Sequence, residues 1–440
     1  MPTRRQFIWS STAGMIVGSA GGLRAGEAQR SRGMRGGDEG PLPPSIAALA
    51  SMRDQARPIT NDERRARIER ARRLMAESKI DALILAGGTS MAYFTNMRWG
   101  GGERLFAVVI PVNGDPFFVC PAFEVDRAQE LIALGPFGSG KVDIRRWEED
   151  ESPFFRVAQG LKDRGLATGR LGVEETVKFV FADSVAHAAP QLKVVSGTPI
   201  TAGCRMIKDA HEIELMRLAS RATLKVYEAV YHTLEPGMTQ NTVSSLIARA
   251  YGRVGFPGEA SVQVGEYTAL PHGSIQPQTI REGSIVMLDD GCTVEGYQSD
   301  ITRTFVLGKA TDKMKTVFDT VKQAQTAALK AARPGLPLEQ LDAVARKVIV
   351  DAGYGPGFKY FTHRLGHGMG MDGHEWPYLV KNNMFGWTTA LTLQPGMVFS
   401  DEPGIYIRGE FGVRLEDDMH ITDEGAELFT PQSESLEKPF

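Results

Sequence analysis

Asp289 and Asp300 flank a turn in the stretch IVMLDDGCTVEGYQSDITRTFVL. The apolar run 285–288 reads as a strand that Asp289 ends with a carboxylate. Gly291 and Gly296 mark a turn, and a second strand is expected over residues 297–307, which are rich in Thr and β-branched residues. Period-two alternation puts Asp300, Thr302, Thr304 and Val306 on one face. Two carboxylates on adjacent strands then share one space, where they repel unless a proton or a cation lies between them. The stretch is a candidate metal site. Asp is also common in turns, so further ligands are required to make the case.

An internal repeat supplies them. Pro236-Gly237, Val243, Gly255 and Phe256 recur as Pro334-Gly335, Leu341, Gly353 and Tyr354. GSIVMLD from Gly283 aligns with GMVFSDE from Gly396, so Asp289 falls on Glu402. In GVRLEDDMHIT, Arg414, Glu416 and Asp418 share a strand face, and Glu416 is the expected counterpart of Asp300. Two packed halves would bring four carboxylates together, a cluster that two divalent cations turn into a dinuclear site. His367 offers a nitrogen ligand within HRLGHGMGMDGHE, a segment too glycine-rich for a stable helix. His363 and His374 are near enough in sequence to join it. His272 stands alone on a loop and reads as a surface histidine, and Arg414 reads as a neutraliser of Glu416. Oxygen donors with one imidazole favour Mn²⁺, with Co²⁺, Zn²⁺ or Fe²⁺ admissible. A bridged hydroxide attacking an acyl carbon follows, with a neighbouring carboxylate as proton shuttle.

The elements that must position these residues fall into two blocks. A T-x-x-E capping box at Thr60 and Glu63 opens a helix with Ile68, Ala71, Leu74 and Met75 on one face and arginines on a solvated one. Strand and helix signals then alternate to about residue 201, an α/β pattern without clustered ligands. The second block, 202–440, opens with a capped helix from Asp209 and Glu212, stopped by Pro236-Gly237. The N-terminus carries Arg4-Arg5, then Phe7 and a mildly apolar run with Ala25 and Ala28 near a cleavage site. Residues 1–28 therefore read as a twin-arginine export signal to the periplasm or exterior, and 29–59 as a linker. The apolar run is too short and too Gly/Ser-rich for stable membrane insertion. With 440 residues, a net charge of -3 and three scattered cysteines, nothing points to nucleic acid, a disulfide framework or a thiolate metal site.

Taken in order, LDDGCTVEGYQSDITRTF, HRLGHGMGMDGHE, SDEPGIYI and GVRLEDDMHIT resemble the pita-bread metallopeptidases, in the branch of aminopeptidase P, prolidase and creatinase. The resemblance implies an α+β chain. A creatinase-like N-terminal domain (60–201) would precede a pseudo-twofold catalytic domain of curved antiparallel sheet and covering helices (202–440). It implies Asp289, Asp300, His367, Glu402 and Glu416 as ligands of two metal ions, with Asp300 and Glu416 bridging and Glu402 also handling the proton. It implies substrate-binding roles for His272, His363 and His374, and a supporting role for Arg414. The expected activity is cleavage of Xaa-Pro bonds in short peptides, by an aminopeptidase or a dipeptidase, in a homodimer or homotetramer. The alternatives are hydrolysis of a small non-peptide amide and a non-catalytic binding protein on the same fold.

Overall fold

A computed structural model describes residues 40–138, 140–381 and 391–440. The expected export signal and the first part of the expected linker lie outside the described residues. From Pro43 to Phe440 the chain is one compact unit.

The expected linker is packed from its second half. Helix α1 (Pro44–Ala47) buries Ile46, and Met52 and Ile59 are buried after it. Ser45 Oγ donates to the Ala229 carbonyl at 2.7 Å, and Met52 N to the Val254 carbonyl at 2.9 Å. Ile46 and Met52, with these two hydrogen bonds, hold the stretch against residues 229–254.

Helix α2 (Asn61–Ser78) starts at the expected capping box, with Thr60 Oγ1 accepting from Glu63 N. There follow β1 (Ala82–Ala86), α3 (Thr89–Thr95), β2 (Ala107–Pro111), β3 (Phe117–Pro121), α4 (Val125–Ala133), β4 (Asp143–Trp147), α5 (Pro153–Lys162), β5 (Gly169–Val173), α6 (Phe179–Ala188), β6 (Leu192–Ser196) and α7 (Thr198–Arg205). The strands form one mixed sheet in the order β4-β3-β2-β1-β5-β6. β1 and β3 are buried along their length because helices cover both faces. The domain boundary expected at residue 201 falls later: Ile200 and Cys204 of α7 sit in the core beneath α2. Nor are the α2 arginines all solvated. Arg67 is buried, donating to Tyr297 Oη at 2.8 Å and to the Tyr93 carbonyl at 3.1 Å, with Glu212 3.2 Å away.

The second half begins with α8 (Ala210–Tyr231) and α9 (Gln240–Val254), then β7 (Ser261–Val264), β8 (Ser284–Asp289), β9 (Thr293–Val294), β10 (Tyr297–Gln298) and β11 (Arg303–Leu307). The repeat follows as α10 (Asp312–Ala331), α11 (Leu338–Asp351), β12 (His367–Gly368), β13 (Glu375–Tyr378), β14 (Val398–Asp401), β15 (Gly404–Ile407), β16 (Phe411–Arg414), β17 (Asp417–Ile421) and β18 (Ala426–Leu428). Gly255 and Gly353 end the second helix of each pair at the same φ of 90°, a left-handed turn that glycine makes at low cost. Antiparallel β7-β8-β11 and β13-β12-β14-β17-β18 are the larger sheets, beside the two-stranded pairs β9-β10 and β15-β16, and an isolated bridge between Thr302 and Glu416 joins the larger two.

Two expectations change here. The strand proposed over 297–307 is broken: β10 pairs with β9, residues 299–302 are irregular, and β11 starts at Arg303. Ladder register also revises the repeat. Leu288 faces Arg303 and Asp401 faces Asp417, so Arg303 and Asp417 are counterparts, and Glu416 corresponds to Thr302 rather than Asp300. No described helix is long and apolar enough to cross a membrane.

Candidate active site

Asp289 closes β8, and Asp300 lies in the irregular turn before β11. His367 opens β12, Glu402 follows β14, and Glu416 links β16 to β17. They meet at the seam between the two halves. Ligand atoms of Asp289, Asp300 and Glu416 lie within 4.8 Å of one another, as do those of His367, Glu402 and Glu416, and those of Asp300, His367 and His374. Asp300, His367 and Glu416 each belong to two of these sets, so the three overlap in one cluster. The five residues predicted as ligands are thus brought together.

The protonation chemistry tests whether they fit cations. His367 Nδ1 lies 3.2 Å from the Gly368 carbonyl, which can only accept, so Nδ1 carries the proton. The Nε2 lone pair then faces Glu402 Oε1 at 3.3 Å and Asp300 Oδ2 at 3.8 Å. Burial, then His374, holds the imidazole neutral. A lone pair aimed at two carboxylates is repulsive without a positive centre between them. Thr302 repeats the problem. Its single hydroxyl proton serves both Asp289 Oδ1 at 2.6 Å and Glu416 Oε2 at 2.5 Å. Burial, then neighbouring carboxylates, pushes Asp300 and Glu416 well above the usual range. Burial raises Glu402 to about 7 against the pull of Arg414. A cluster that can ionise only at such cost, built from hard oxygens and an imidazole, suits two divalent ions.

Close backbone packing holds the ligands. A Cβ at Gly366 would sit 1.9 Å from the Ser400 carbonyl oxygen, so His367 can approach β14 only behind a glycine. Ser400 Oγ accepts from His367 N at 3.1 Å and donates to Glu402 Oε1 at 3.2 Å. Asp300 N donates to buried Asp418 at 3.3 Å.

Around the ligands is a cavity of about 510 Å³, lined by His272, His363, Arg364, His374, Phe358 and Arg414 among others. His272 reaches its rim from an exposed loop, which the isolated histidine alone did not indicate. Both ring nitrogens of His363 are engaged. Nδ1 donates to the Arg364 carbonyl at 2.8 Å, so Nε2 accepts from Tyr406 Oη at 2.7 Å. Burial, then Arg414, lowers His363 to about 3 and keeps it neutral. His374 stacks on His367 with centroids 3.6 Å apart. Its Nδ1 faces Arg364 Nη2 at 3.3 Å. A guanidinium only donates, so His374 Nε2 carries the proton. Arg414 is buried against Asp289, and donates to Thr302 Oγ1 at 3.0 Å, the Pro271 carbonyl at 3.0 Å and Tyr406 Oη at 3.2 Å. Its nearest Glu416 oxygen is 3.9 Å away, so Asp289 rather than Glu416 is its main partner.

Sequence reasoning missed Tyr406, Arg364 and the hydroxyl of Thr302. Tyr406 and Arg364 lie inside SDEPGIYI and HRLGHGMGMDGHE, but neither is a metal ligand, and only the fold turns them inward. Thr302 did signal itself, on the same expected strand face as Asp300.

Comparison with known proteins agrees with this geometry. Residues 214–423 match the model of metallopeptidase family M24, and 67–207 that of the creatinase/prolidase N-terminal domain. The chain is 32% identical to the Xaa-Pro dipeptidase of Lactobacillus delbrueckii subsp. lactis over 84% of its length and 98% of that protein's. Dipeptidase PepE from Mycobacterium ulcerans superposes with a TM-score of 0.79 at 31% identity, covering 87% of this chain and 99% of its own. X-Pro aminopeptidase from Thermotoga maritima superposes at 0.70 with 28% identity, covering 84% and 99%. The chain is a metallopeptidase of family M24, with the pita-bread catalytic fold and a creatinase-type N-terminal domain.

Proposed function

We propose that the chain is an exported dinuclear metallopeptidase that cleaves Xaa-Pro bonds in short peptides, dipeptides foremost. The observation that carries the chemistry is the His367 lone pair aimed at Glu402 and Asp300 inside a five-ligand cluster. Two divalent ions, Mn²⁺ favoured, supply Lewis acidity and an acidified water when bound. The chain's residues do the rest. Glu402, whose carboxyl lies beside His367 and Glu416, can take a proton from the nucleophile and return it to the leaving nitrogen. His374 offers Nε2–H to an oxyanion. Tyr406 and Arg414 hold one another and the rings around them.

Dipeptides are favoured by Arg364, a cation on the cavity wall that suits the C-terminal carboxylate just beyond the scissile bond. The similarity to an Xaa-Pro dipeptidase supports the same choice. Export is supported by Arg4-Arg5 and the apolar run after it. A homodimer or homotetramer is supported by the creatinase-type N-terminal domain alone.

The test is a chain lacking residues 1–28, assayed with Mn²⁺ on Ala-Pro, Ala-Pro-Ala and Ala-Ala. Proline release from Ala-Pro alone is expected. Cleavage of Ala-Pro-Ala makes it an aminopeptidase, and bound metal with no cleavage moves the function to another amide. Replacing Arg4 and Arg5 by Lys in the full chain should abolish export; unchanged export would refute the signal.

A further inference from the structure

The segment that carries His374 is held from behind by the N-terminal domain. His374 lines the cavity from the bend just before β13, the strand that Glu375 opens. Glu375 is buried, and both of its carboxylate oxygens meet cations: Oε1 accepts from Lys208 Nζ at 2.9 Å, and Oε2 from Arg205. These two cations offset its desolvation and keep it ionised. Arg205 also reaches Asp372, and donates to Ser90 Oγ at 3.2 Å. Ser90 donates to Glu174, while Thr89 Oγ1 donates to Asp372 at 2.6 Å. Gly370 leaves the room this needs, since a Cβ there would meet Glu375 Oε1 at 2.6 Å. From the other side, Gln298 Nε2 donates to the Met371 carbonyl at 2.9 Å. The 370–375 turn is thus clamped at several points by groups from α3, α7 and β10 and by Lys208.

We infer that Glu375 is a positioning residue, through which Arg205, Lys208 and the N-terminal domain set the placement of the His374 ring for catalysis. The inference rests on the peptidase reading above. His374 has no covalent restraint of its own beyond the backbone, and it keeps its stack on His367 only while β13 stays in register. Misplacement of a substrate-facing group by about 1 Å costs about a hundredfold in rate. Glu375 touches none of the five metal ligands' side chains among its described contacts, so losing it should leave metal loading intact.

The experiment is a double-mutant cycle on the Mn²⁺-loaded enzyme with Glu375→Gln, His374→Ala and the pair, reading kcat, KM, bound metal and melting temperature. His374→Ala should lower kcat about a hundredfold. Glu375→Gln should lower kcat about tenfold or more with two metals still bound, and should cost nothing further in the His374→Ala background. Equal losses in both backgrounds would overturn the inference while leaving the peptidase reading intact. An unimpaired His374→Ala would instead sink the role of His374 in that reading. If Glu375→Gln does not fold, Asp372→Asn, at the partly exposed edge of the same clamp, gives the same cycle. A kcat loss that vanishes in the His374→Ala background supports the inference, and a loss that persists there refutes it.

Discussion

Loading the site with metal should release protons, and the number released should depend on pH. Burial and like charge raise Asp300, Glu416 and Glu402 above the ordinary carboxylate range, Glu402 to about 7. A raised carboxylate holds its proton at pH values where it would otherwise be ionised, so a cation must displace that proton. At pH 6, one unit below the Glu402 midpoint, Glu402 is about 90% protonated. Asp300 and Glu416 are shifted in the same direction, and the three titrate as one coupled cluster. His367 is already neutral and contributes none. Binding of Mn²⁺ at pH 6 should therefore release at least the Glu402 proton, and fewer protons at pH 9 than at pH 6. Apparent affinity should rise with pH near pH 6, about tenfold per unit for each proton released, and less steeply once Glu402 has ionised. Calorimetric titration of the apo chain in two buffers of different ionisation enthalpy gives the count directly. A proton count near zero at pH 6, or an identical count at 6 and 9, would refute the reasoning that the ligands sit as a protonated cluster awaiting cations.

Two further outcomes concern Arg67, which is buried, and Arg364, on the cavity wall. Arg67→Ala strands the Glu212 carboxylate in the interface between the two halves of the molecule and should destabilise the fold by about 3–5 kcal/mol, read as a lower denaturation midpoint; a shift under about 1 kcal/mol would show that Glu212 is neutral or solvated there. Arg364→Met should raise KM for Ala-Pro about tenfold or more but leave Ala-Pro-amide nearly unchanged, since only the acid presents a carboxylate; equal losses on both substrates would remove Arg364 from substrate recognition.

The matched positions of Asp289 and Glu402 were legible because each closes or follows an apolar strand, and strand ends are marked locally by apolar runs and glycines. The capping boxes at Thr60 and Asp209 were legible for the same reason: donor and acceptor are three residues apart. What stayed hidden depends on distant partners. Arg67 looked like one more arginine of a solvated helix face until Glu212, Tyr297 and Tyr93 surrounded it. Ile46 and Met52 looked too sparse to fold until α8 and α9 offered them a surface. Matching acid to acid paired Asp300 with Glu416, whereas hydrogen-bond register pairs Thr302 with Glu416, because the irregular residues 299–302 break the count. The protons on His363 and His374 were invisible in principle, since they are set by a carbonyl and a guanidinium that the fold brings alongside.

The bridge between Thr302 and Glu416 lies where the two halves cross, and each half keeps only part of the ligand set. Asp289 and Asp300 come from the first, His367, Glu402 and Glu416 from the second. At matched ladder positions the second half carries the acid Glu416 and the first the hydroxyl of Thr302, while Asp300 sits in the adjoining turn. The two halves therefore line the cavity unequally, with buried Arg414 beside Asp289 and the His367 imidazole beside Glu402 and Asp300.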